Sequence, residues 1–216
     1  KKTTLMAFSG DLGQKDAVLV KNAEPITKAD YVFIESTYGD RLHPLLEERE
    51  RELIRIIKET YNRRGKLMIP SFAVERAQEI IYYIGEFMQK GLIPKMKVYL
   101  DSPMAMKATE VFAKYTEHYN QGVQKSMEKK KNPFDFPELT YTLKVQESKA
   151  LNGITEPCII IAGNGMCSAG RIKHHIRNNI NNSKNTLLFI GYQVEGSLGY
   201  WIKKGEKRIR LLGTEI

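Results

Sequence analysis

The stretch that decides the fold is PCIIIAGNGMCSAGRIKHHI, residues 157–176. It opens with a short, continuous apolar run rich in isoleucine, which is typical of a strand covered on both faces of its sheet. The glycines that follow permit a tight turn, and the remainder, from Ser168 onward, predicts a helix. A strand that leads directly into a helix is a βα unit, and such units build parallel sheets covered by helices.

The same alternation extends along most of the chain. Three more apolar runs predict strands, and three amphipathic runs predict helices: KLMIPSF, MKVYLDSP and NTLLFIGY, then LLEERERELIRIIKETYNRR, AVERAQEIIYYIGEFMQKG and MAMKATEVFAKYTEHY. The pattern predicts an α/β fold with a mostly parallel, helix-covered sheet. Residues 119–150 interrupt it with lysines and prolines, and they are predicted to form a surface insertion in which Lys129, Lys130 and Lys131 are solvated.

Composition sets limits on the class of protein. The chain has 216 residues, 42 % hydrophobic and 27 % charged, which predicts one or two domains. No apolar run approaches the length of about 20 residues that a membrane helix needs. Two cysteines, Cys158 and Cys167, are too few for a disulfide scaffold, so reduced thiols in the cytoplasm are predicted. Both ends of the sequence interrupt strand-like runs, which indicates a piece of a longer protein.

The charge is positive and unevenly distributed. The formal net charge is +9, and residues 157–216 hold nine Lys and Arg against three Glu. A basic region of this kind is either a solvated surface or an electrostatic footprint for nucleic acid. The charge alone leaves both interpretations open.

Small polar residues follow each predicted strand of the sheet. They are Ser71, Asp101 with Ser102, Gly163 with Asn164 and Gly165, and Gly191. Ligands of parallel sheets collect at the carboxyl ends of the strands, and a helix N-terminus there favours an anion. Ser168 is predicted to cap the helix and Arg171 to add positive charge. The spacing matches neither GxGxxG nor GxxxxGK[ST], so a phosphate cradle and an ordinary tight turn both stay open.

Two further acids end short apolar strands near the N-terminus. Asp11 in FSGDLG and Glu35 in FIESTYGD follow strands that are predicted to be neighbours. Converging carboxylates suit a metal or acid–base chemistry, whereas the plainer interpretation is a pair of turn-forming acids. The histidines form no cluster with metal-ligand spacing: His174 and His175 are adjacent on the predicted helix and cannot share a face.

The motifs taken together resemble one family. They are FSGDLG, ADYVFIESTYGDR, IPSFAVERAQE, VYLDSPMA, NPFD, AGNGMCSAGRIKHHI and LLFIGYQVEGSLG. In this order, and essentially from end to end, they are similar to the beta-CASP branch of the metallo-beta-lactamase superfamily, the zinc-dependent nucleases of RNA processing. The resemblance implies a division into the end of the first half of the hydrolase domain (1–42), the beta-CASP domain (43–205) and the start of the return to the hydrolase domain (206–216).

The resemblance also implies roles for individual residues. Asp11 matches the catalytic aspartate that bridges two zinc ions, and Glu35 matches a catalytic-site acid that orients a metal-site histidine. The positions that match the lining of the RNA groove are Ser71, Arg76, Ser102, Asn164, Gly165, Ser168 and Arg171. Where relatives often carry serine, Asn164 stands here, which leaves the preference for substrate open at that position.

The departures from the family pattern qualify the expected activity. The HxHxDH motif that supplies most zinc ligands is absent from the 216 residues, as are two later histidines. We therefore expect the full-length enzyme, and not this chain by itself, to bind two zinc ions and hydrolyse single-stranded RNA in the cytoplasm. A homodimer is compatible with the resemblance. The alternatives are a stand-alone nucleic-acid-binding module without catalysis and a nucleotide-binding enzyme of the doubly wound class.

Overall fold

The structure is a computed structural model that describes residues 3–13, 17–127 and 132–215. The chain forms two compact units. The smaller unit consists of Lys1–Arg49 with Thr116–Lys131, and the larger unit consists of Glu50–Tyr115 with Asn132–Ile216. None of the helices in the described part combines the length and apolar character that a membrane crossing requires.

Strands and helices alternate through the larger unit. In chain order the elements of the described residues are β1 (Met6–Phe8), β2 (Tyr31–Phe33), α1 (Leu46–Asn62), β3 (Lys66–Pro70), α2 (Arg76–Gln89), β4 (Lys97–Asp101), α3 (Pro103–Lys114), α4 (Gln121–Met127), β5 (Leu139–Tyr141), α5 (Val145–Ala150), β6 (Cys158–Ala162), α6 (Ile172–Asn179), β7 (Thr186–Leu187), α7 (Leu198–Lys203), β8 (Arg210–Leu211) and β9 (Thr214–Glu215).

Two short parallel strands and one helix characterise the smaller unit. β1 pairs with β2, and the rings of Phe8 and Phe33 stack with their centroids 4.7 Å apart. Before α4, the side-chain amide of Asn120 donates to the carbonyls of Ala17 and Val18 at 3.0 and 2.6 Å. The residues around Asn120 are therefore tied to the N-terminal part of the chain.

The larger unit is built on a five-stranded sheet with the order β5-β4-β6-β3-β7. All of its pairings are parallel. β6 lies at the centre, and every residue of β6 and of its neighbour β3 is buried. The α/β fold with a mostly parallel, helix-covered sheet is confirmed, and the apolar run at 158–162 is the strand that lies deepest in it.

The two faces of the sheet are both covered. On one face Met68 and Ile160 pack in a hydrophobic cluster with Ile172 and Ile176 of α6. Side chains alternate between the faces of a strand, so Ile159 and its alternate neighbours point the other way, and Ile159 is 0 % exposed. A sheet that is apolar on both faces cannot face water on either, which fixes the layered arrangement of helices around it.

The prediction of a surface insertion over residues 119–150 is wrong for its second half. β5 forms the edge strand of the sheet beside β4, Phe134 is 1 % exposed, and Thr142 and Ser148 are buried. A strand of three residues is too short for hydrophobic periodicity to reveal it among charges and prolines. Lys129, Lys130 and Lys131 lie outside the described residues, and the predicted domain boundaries at 42 and 205 stay predictions.

Several element boundaries also differ from the predicted ones. The apolar run at residues 17–20 forms only an isolated bridge, from Val20 to Tyr119. α2 begins at Arg76 because Glu75 has a φ of +66°, a left-handed conformation that no helix continues through. α6 begins at Ile172 and has no side-chain N-cap, so the prediction that Ser168 caps it is wrong.

Candidate functional site

Three neighbouring strands of the sheet end at one edge of the larger unit. The central strand β6 ends between β3 and β4, and the backbone N–H of Ser71 donates to the carbonyl of Ala162 at 3.0 Å. A Cβ added to Gly163 would lie 3.4 Å from the Oγ of Ser102 and 4.0 Å from the carbonyl oxygen of Ser71. The structure therefore brings together strand ends that are far apart in the sequence.

Residues 163–171, called here the strand-end loop, connect β6 to α6 through a compact turn. The Oδ1 of Asn164 accepts hydrogen bonds from the backbone N–H of Met166 at 2.8 Å and from the Oγ of Ser168 at 3.4 Å. Gly170 has a φ of +76°, and a Cβ at this residue would lie 2.2 Å from the carbonyl oxygen of Gly163. Only glycine therefore fits at residue 170 without a shift of the backbone.

Two side chains that the sequence analysis did not select hold the loop from outside. The Nε2 of Gln193 donates to the carbonyl of Gly165 at 3.0 Å. A Cβ at Gly165 would lie 2.8 Å from the ring of Phe72, so the ring packs directly against the backbone there. The glycine at residue 165 is needed for this close approach, and Phe72 and Gln193 both contact the backbone of that residue.

The outer part of the strand-end loop offers backbone donors. Ser168, Ala169 and Gly170 are exposed, and within residues 3–13, 17–127 and 132–215 their backbone N–H groups have no hydrogen-bond acceptor. Successive free N–H groups in a glycine turn that leads into a helix form a site for an anion. The local geometry is therefore suited to a phosphate group.

Arg171 is directed away from solvent. Its Nη1 donates to Asp101 at 2.7 Å and to the carbonyl of Thr142 at 2.8 Å, and its Nη2 donates to the carbonyl of Leu143 at 2.8 Å. The side chain is 20 % exposed. These contacts link the strand-end loop to β4 and to the residues after β5, which is a positioning role; contact of Arg171 with RNA stays a prediction.

Asp101 is the centre of a buried polar network. Besides Arg171, its carboxylate binds the Oγ of Ser148 at 2.6 Å, the Oγ1 of Thr142, and the Nε2 of His175 at 2.6 Å. Asp101 and His175 are both 0 % exposed. Burial raises the pKa of Asp101, but hydrogen bonds from His175, Ser148, Thr142 and Arg171 together outweigh it and hold the pKa at about 2. The carboxylate is therefore ionised and locked in place.

The remaining predicted RNA-groove residues differ in how accessible they are. Ser71 is 3 % exposed, and its Oγ donates to the carbonyl of Phe72 at 3.0 Å. The Oγ of Ser102 accepts from the backbone N–H of Ala105 at 3.3 Å and so caps α3. Arg76 pairs with Glu79. The hydroxyl of Ser102 and the backbone of Ser71 lie beside the strand-end loop. The contacts of both serines with RNA stay predictions.

In the smaller unit, Glu35 contacts the backbone of the turn that carries Asp11. Glu35 accepts hydrogen bonds from the backbone N–H of Thr37 at 2.9 Å and of Leu12 at 3.4 Å. Since Leu12 follows Asp11 directly, Glu35 braces the turn that carries Asp11. Hydrogen bonds from Thr37, and then from Leu12, lower the pKa of Glu35.

The residues that the structure describes do not fit a metal site on their own. In the ranges 3–13, 17–127 and 132–215, no three side chains among His, Cys, Asp and Glu lie close enough to share an ion. Asp11 and Glu35 are two carboxylates, and a zinc site needs three or four protein ligands. The role of Asp11 as a metal ligand and the catalytic roles of Asp11 and Glu35 stay predictions.

Some of the residues just described could have been found from the sequence and some could not. Asp101 ends a predicted strand, which marks it as a strand-end residue, but its burial depends on β5 and α5, which the sequence analysis placed in an insertion. The pairing of His175 with Asp101 depends on how α6 packs, which the adjacent residues His174 and His175 do not indicate by their spacing. Nothing in the local sequence indicates that Gln193 contacts Gly165.

The fold and this edge of the sheet define a class: a helix-covered parallel α/β domain with a glycine-rich, anion-compatible loop at its central strand. The family comparison assigns that class to a known domain. The Beta-Casp domain model matches residues 77–202, which is more than half of the chain, and the chain belongs to the beta-CASP family of the metallo-beta-lactamase superfamily.

Relatives from bacteria and archaea match almost the whole chain. Ribonuclease TTHA0252 of Thermus thermophilus is 37% identical over 98% of this chain and 48% of its own length. An RNase J-like protein of Methanocaldococcus jannaschii is 34% identical over 97% of this chain and 48% of its own length. Transcription termination factor FttA of Methanosarcina mazei is 34% identical over 96% of this chain and 33% of its own length. The chain thus spans half or less of these relatives.

Proposed function

We propose that the whole protein hydrolyses phosphodiester bonds of single-stranded RNA and that the larger unit of this chain binds that RNA. The observation that carries the proposal is the meeting of three strand ends at the strand-end loop, with exposed backbone donors at Ser168, Ala169 and Gly170. Membership of the beta-CASP family and a relative named as a ribonuclease support RNA as the substrate.

The geometry divides the predicted RNA-binding residues by role. The exposed donors of the strand-end loop, with Asn164 and Gly165 holding its turn, are proposed to contact a phosphate. Ser71 and Ser102 are proposed to line the floor of the groove. Arg171 is proposed to act mainly by holding the loop against Asp101, because its guanidinium already makes three hydrogen bonds.

Metal dependence and location belong to the same proposal. We propose zinc as the metal of the whole protein, with Asp11 as one ligand and Glu35 as the acid that supports it. The cytoplasm is the proposed location, since Cys158 and Cys167 are free, buried thiols. Burial raises the pKa of these thiols to about 11 and about 12, which keeps them protonated and inert.

A charge substitution on the loop tests the RNA-binding part of the proposal. Ser168→Asp places a negative charge beside the exposed donors and is expected to weaken binding of a short labelled single-stranded RNA at least several-fold. Binding is measured by fluorescence anisotropy across a salt series. Each neutralised phosphate contributes about −0.7 to the slope of log affinity against log salt, so the slope of the variant is expected to be shallower than that of the wild type.

Ser183→Asp is the matched control. Ser183 is exposed and precedes β7, and β7 runs parallel to β3, so residue 183 lies near the amino ends of the strands, opposite the loop. The two variants carry the same change of charge. If both weaken RNA binding equally, the basic surface acts only as a diffuse field, and the strand-end loop is not the binding site. Failure of the wild-type chain to bind RNA at low salt contradicts the proposal as a whole.

A further inference from the structure

A cleft in the larger unit is lined by residues other than the predicted site residues. It has a volume of about 480 Å³ and lies where α7 and β8 come together. Its lining residues are Gly196, Leu198, Trp201, Glu206, Arg208, Ile209 and Arg210. None of them is a residue that the sequence analysis predicted to bind RNA, and the cleft is called here the Trp201 cleft.

The indole of Trp201 is held in a defined position at the wall of the cleft. Trp201 lies on α7, which Ser197 caps by accepting a hydrogen bond from the backbone N–H of Tyr200 at 3.1 Å. The ring of Tyr200 meets the indole edge to face with the centroids 5.1 Å apart. Even so, Trp201 is 43 % exposed. A large ring that is braced on one side and open on the other is suited to stacking on a planar group.

The rim of the cleft carries an excess of positive charge. The charged lining residues are two cations, Arg208 and Arg210, and one acid, Glu206. Arg208 is paired only loosely with Glu215, with 3.6 Å between Nε and Oε1 and with both side chains largely exposed. An exposed pair of this kind is worth little, so Arg208 is available to an anionic ligand.

We propose that the Trp201 cleft binds one nucleotide of single-stranded RNA, with the base stacked on Trp201 and neighbouring phosphates at Arg208 and Arg210. An aromatic platform beside cations is the combination by which proteins hold single strands. The carboxylate of Glu206 adds an acceptor for the N–H groups of a base edge. This inference rests on the proposed RNA-binding function and adds a second RNA contact to the one proposed at the strand-end loop.

The chain supplies its own reporter for this contact. Trp201 is the only tryptophan in the sequence, so any change in intrinsic tryptophan fluorescence comes from the cleft. Titration of the 216-residue chain with a short oligouridylate is expected to quench the fluorescence. The quenching is expected to saturate over the same concentration range as binding followed by anisotropy. Uridine monophosphate is expected to quench only at much higher concentration.

Two substitutions test the two halves of the site. Trp201→Leu is expected to lower RNA affinity by about tenfold, which is within the range measured for loss of one stacked base. Trp201→Phe keeps an aromatic ring and is expected to lower the affinity less. Arg210→Ala is expected to lower affinity and to flatten the salt slope by about 0.7. Arg51→Ala, an exposed arginine on α1, is the control and is expected to change neither. Circular dichroism is used to check that each variant folds.

The outcomes separate this inference from the function on which it rests. One outcome overturns only the proposal for the Trp201 cleft. In that outcome Ser168→Asp weakens RNA binding, but RNA leaves tryptophan fluorescence unchanged and Arg210→Ala binds as well as wild type. Equal quenching by oligouridylate and uridine monophosphate overturns the assignment to an RNA strand. Absence of any RNA binding overturns both proposals.

Discussion

At the scale of the residue, Asp101 shows how a buried charge is kept ionised. Burial by itself favours the protonated acid, yet four side chains direct donors at this carboxylate. Removing one partner of such a buried network leaves the other groups without compensation and is strongly destabilising. Arg171→Ala is therefore a poor test of RNA contact, because it exposes the network of Asp101 as well as removing a cation.

The depressed pKa of Asp101 predicts how stability depends on pH. The unfolded carboxyl titrates at about 3.9 and the folded one at about 2. Above about pH 5 the folded state gains the full stabilisation, on the order of 2–3 kcal/mol. As the pH falls towards 2, the unfolded state takes up its proton first and the stabilisation is lost. Urea unfolding at several pH values between 6 and 2.5 measures the effect.

Asp101→Asn should be less stable than wild type at pH 6, and the difference should narrow towards pH 2.5. Asp40→Asn is the control, because Asp40 in the smaller unit is an exposed carboxylate whose surface ion pair with Arg41 is worth little. A difference between wild type and Asp101→Asn that stays constant across this pH range contradicts the proposed ionised state of Asp101.

At the scale of the element, the shape of the strand-end loop depends on Gly170. Its φ of +76° disfavours any side chain, and a Cβ there would lie 2.2 Å from the carbonyl oxygen of Gly163. Gly170→Ala therefore has to shift the backbone of the loop, and we expect it to cost more than about 2 kcal/mol and to weaken RNA binding. Thermal unfolding and RNA anisotropy measure the two effects.

Gly91→Ala is the matched control for this substitution. Gly91 has a similar φ of +66°, but a Cβ there meets no atom within 4 Å. It should cost only the conformational strain, about 1 kcal/mol, and leave RNA binding unchanged. Equal losses of stability in the two variants would mean that the close approach to Gly163 does not matter.

The elements also show what could be predicted from the sequence. β3, β4 and β6 are continuous apolar runs followed by small polar residues, so their type and the meeting of their ends were predictable. β5 is not predictable from the sequence, because three residues carry no clear hydrophobic period. Its pairing is also distant in the sequence, since Leu139 of β5 pairs with Val98 of β4, 41 residues upstream. The network of Asp101 was missed for the same reason, since Thr142 and Ser148 follow β5.

At the scale of the whole molecule, the two candidate chemistries lie in different units. Asp11 and Glu35 belong to the smaller unit, whereas the strand-end loop and the Trp201 cleft belong to the larger one. The RNA binding proposed for the larger unit and the metal binding proposed for Asp11 can therefore be tested separately. Each can be measured in the absence of the other.

This separation predicts that the 216-residue chain binds RNA without cleaving it. Asp11 and Glu35 supply two carboxylates, and among the described residues no group of three potential ligands is close enough to hold an ion, whereas a zinc site needs three or four. Labelled single-stranded RNA incubated with the chain and zinc should remain intact on a denaturing gel, although anisotropy shows it bound.

The whole protein under the same conditions should cleave it, and Asp11→Ala in the whole protein should abolish cleavage while leaving RNA affinity nearly unchanged. Zinc-dependent cleavage by the isolated chain that Asp11→Ala removes would show instead that these residues assemble a working metal site by themselves.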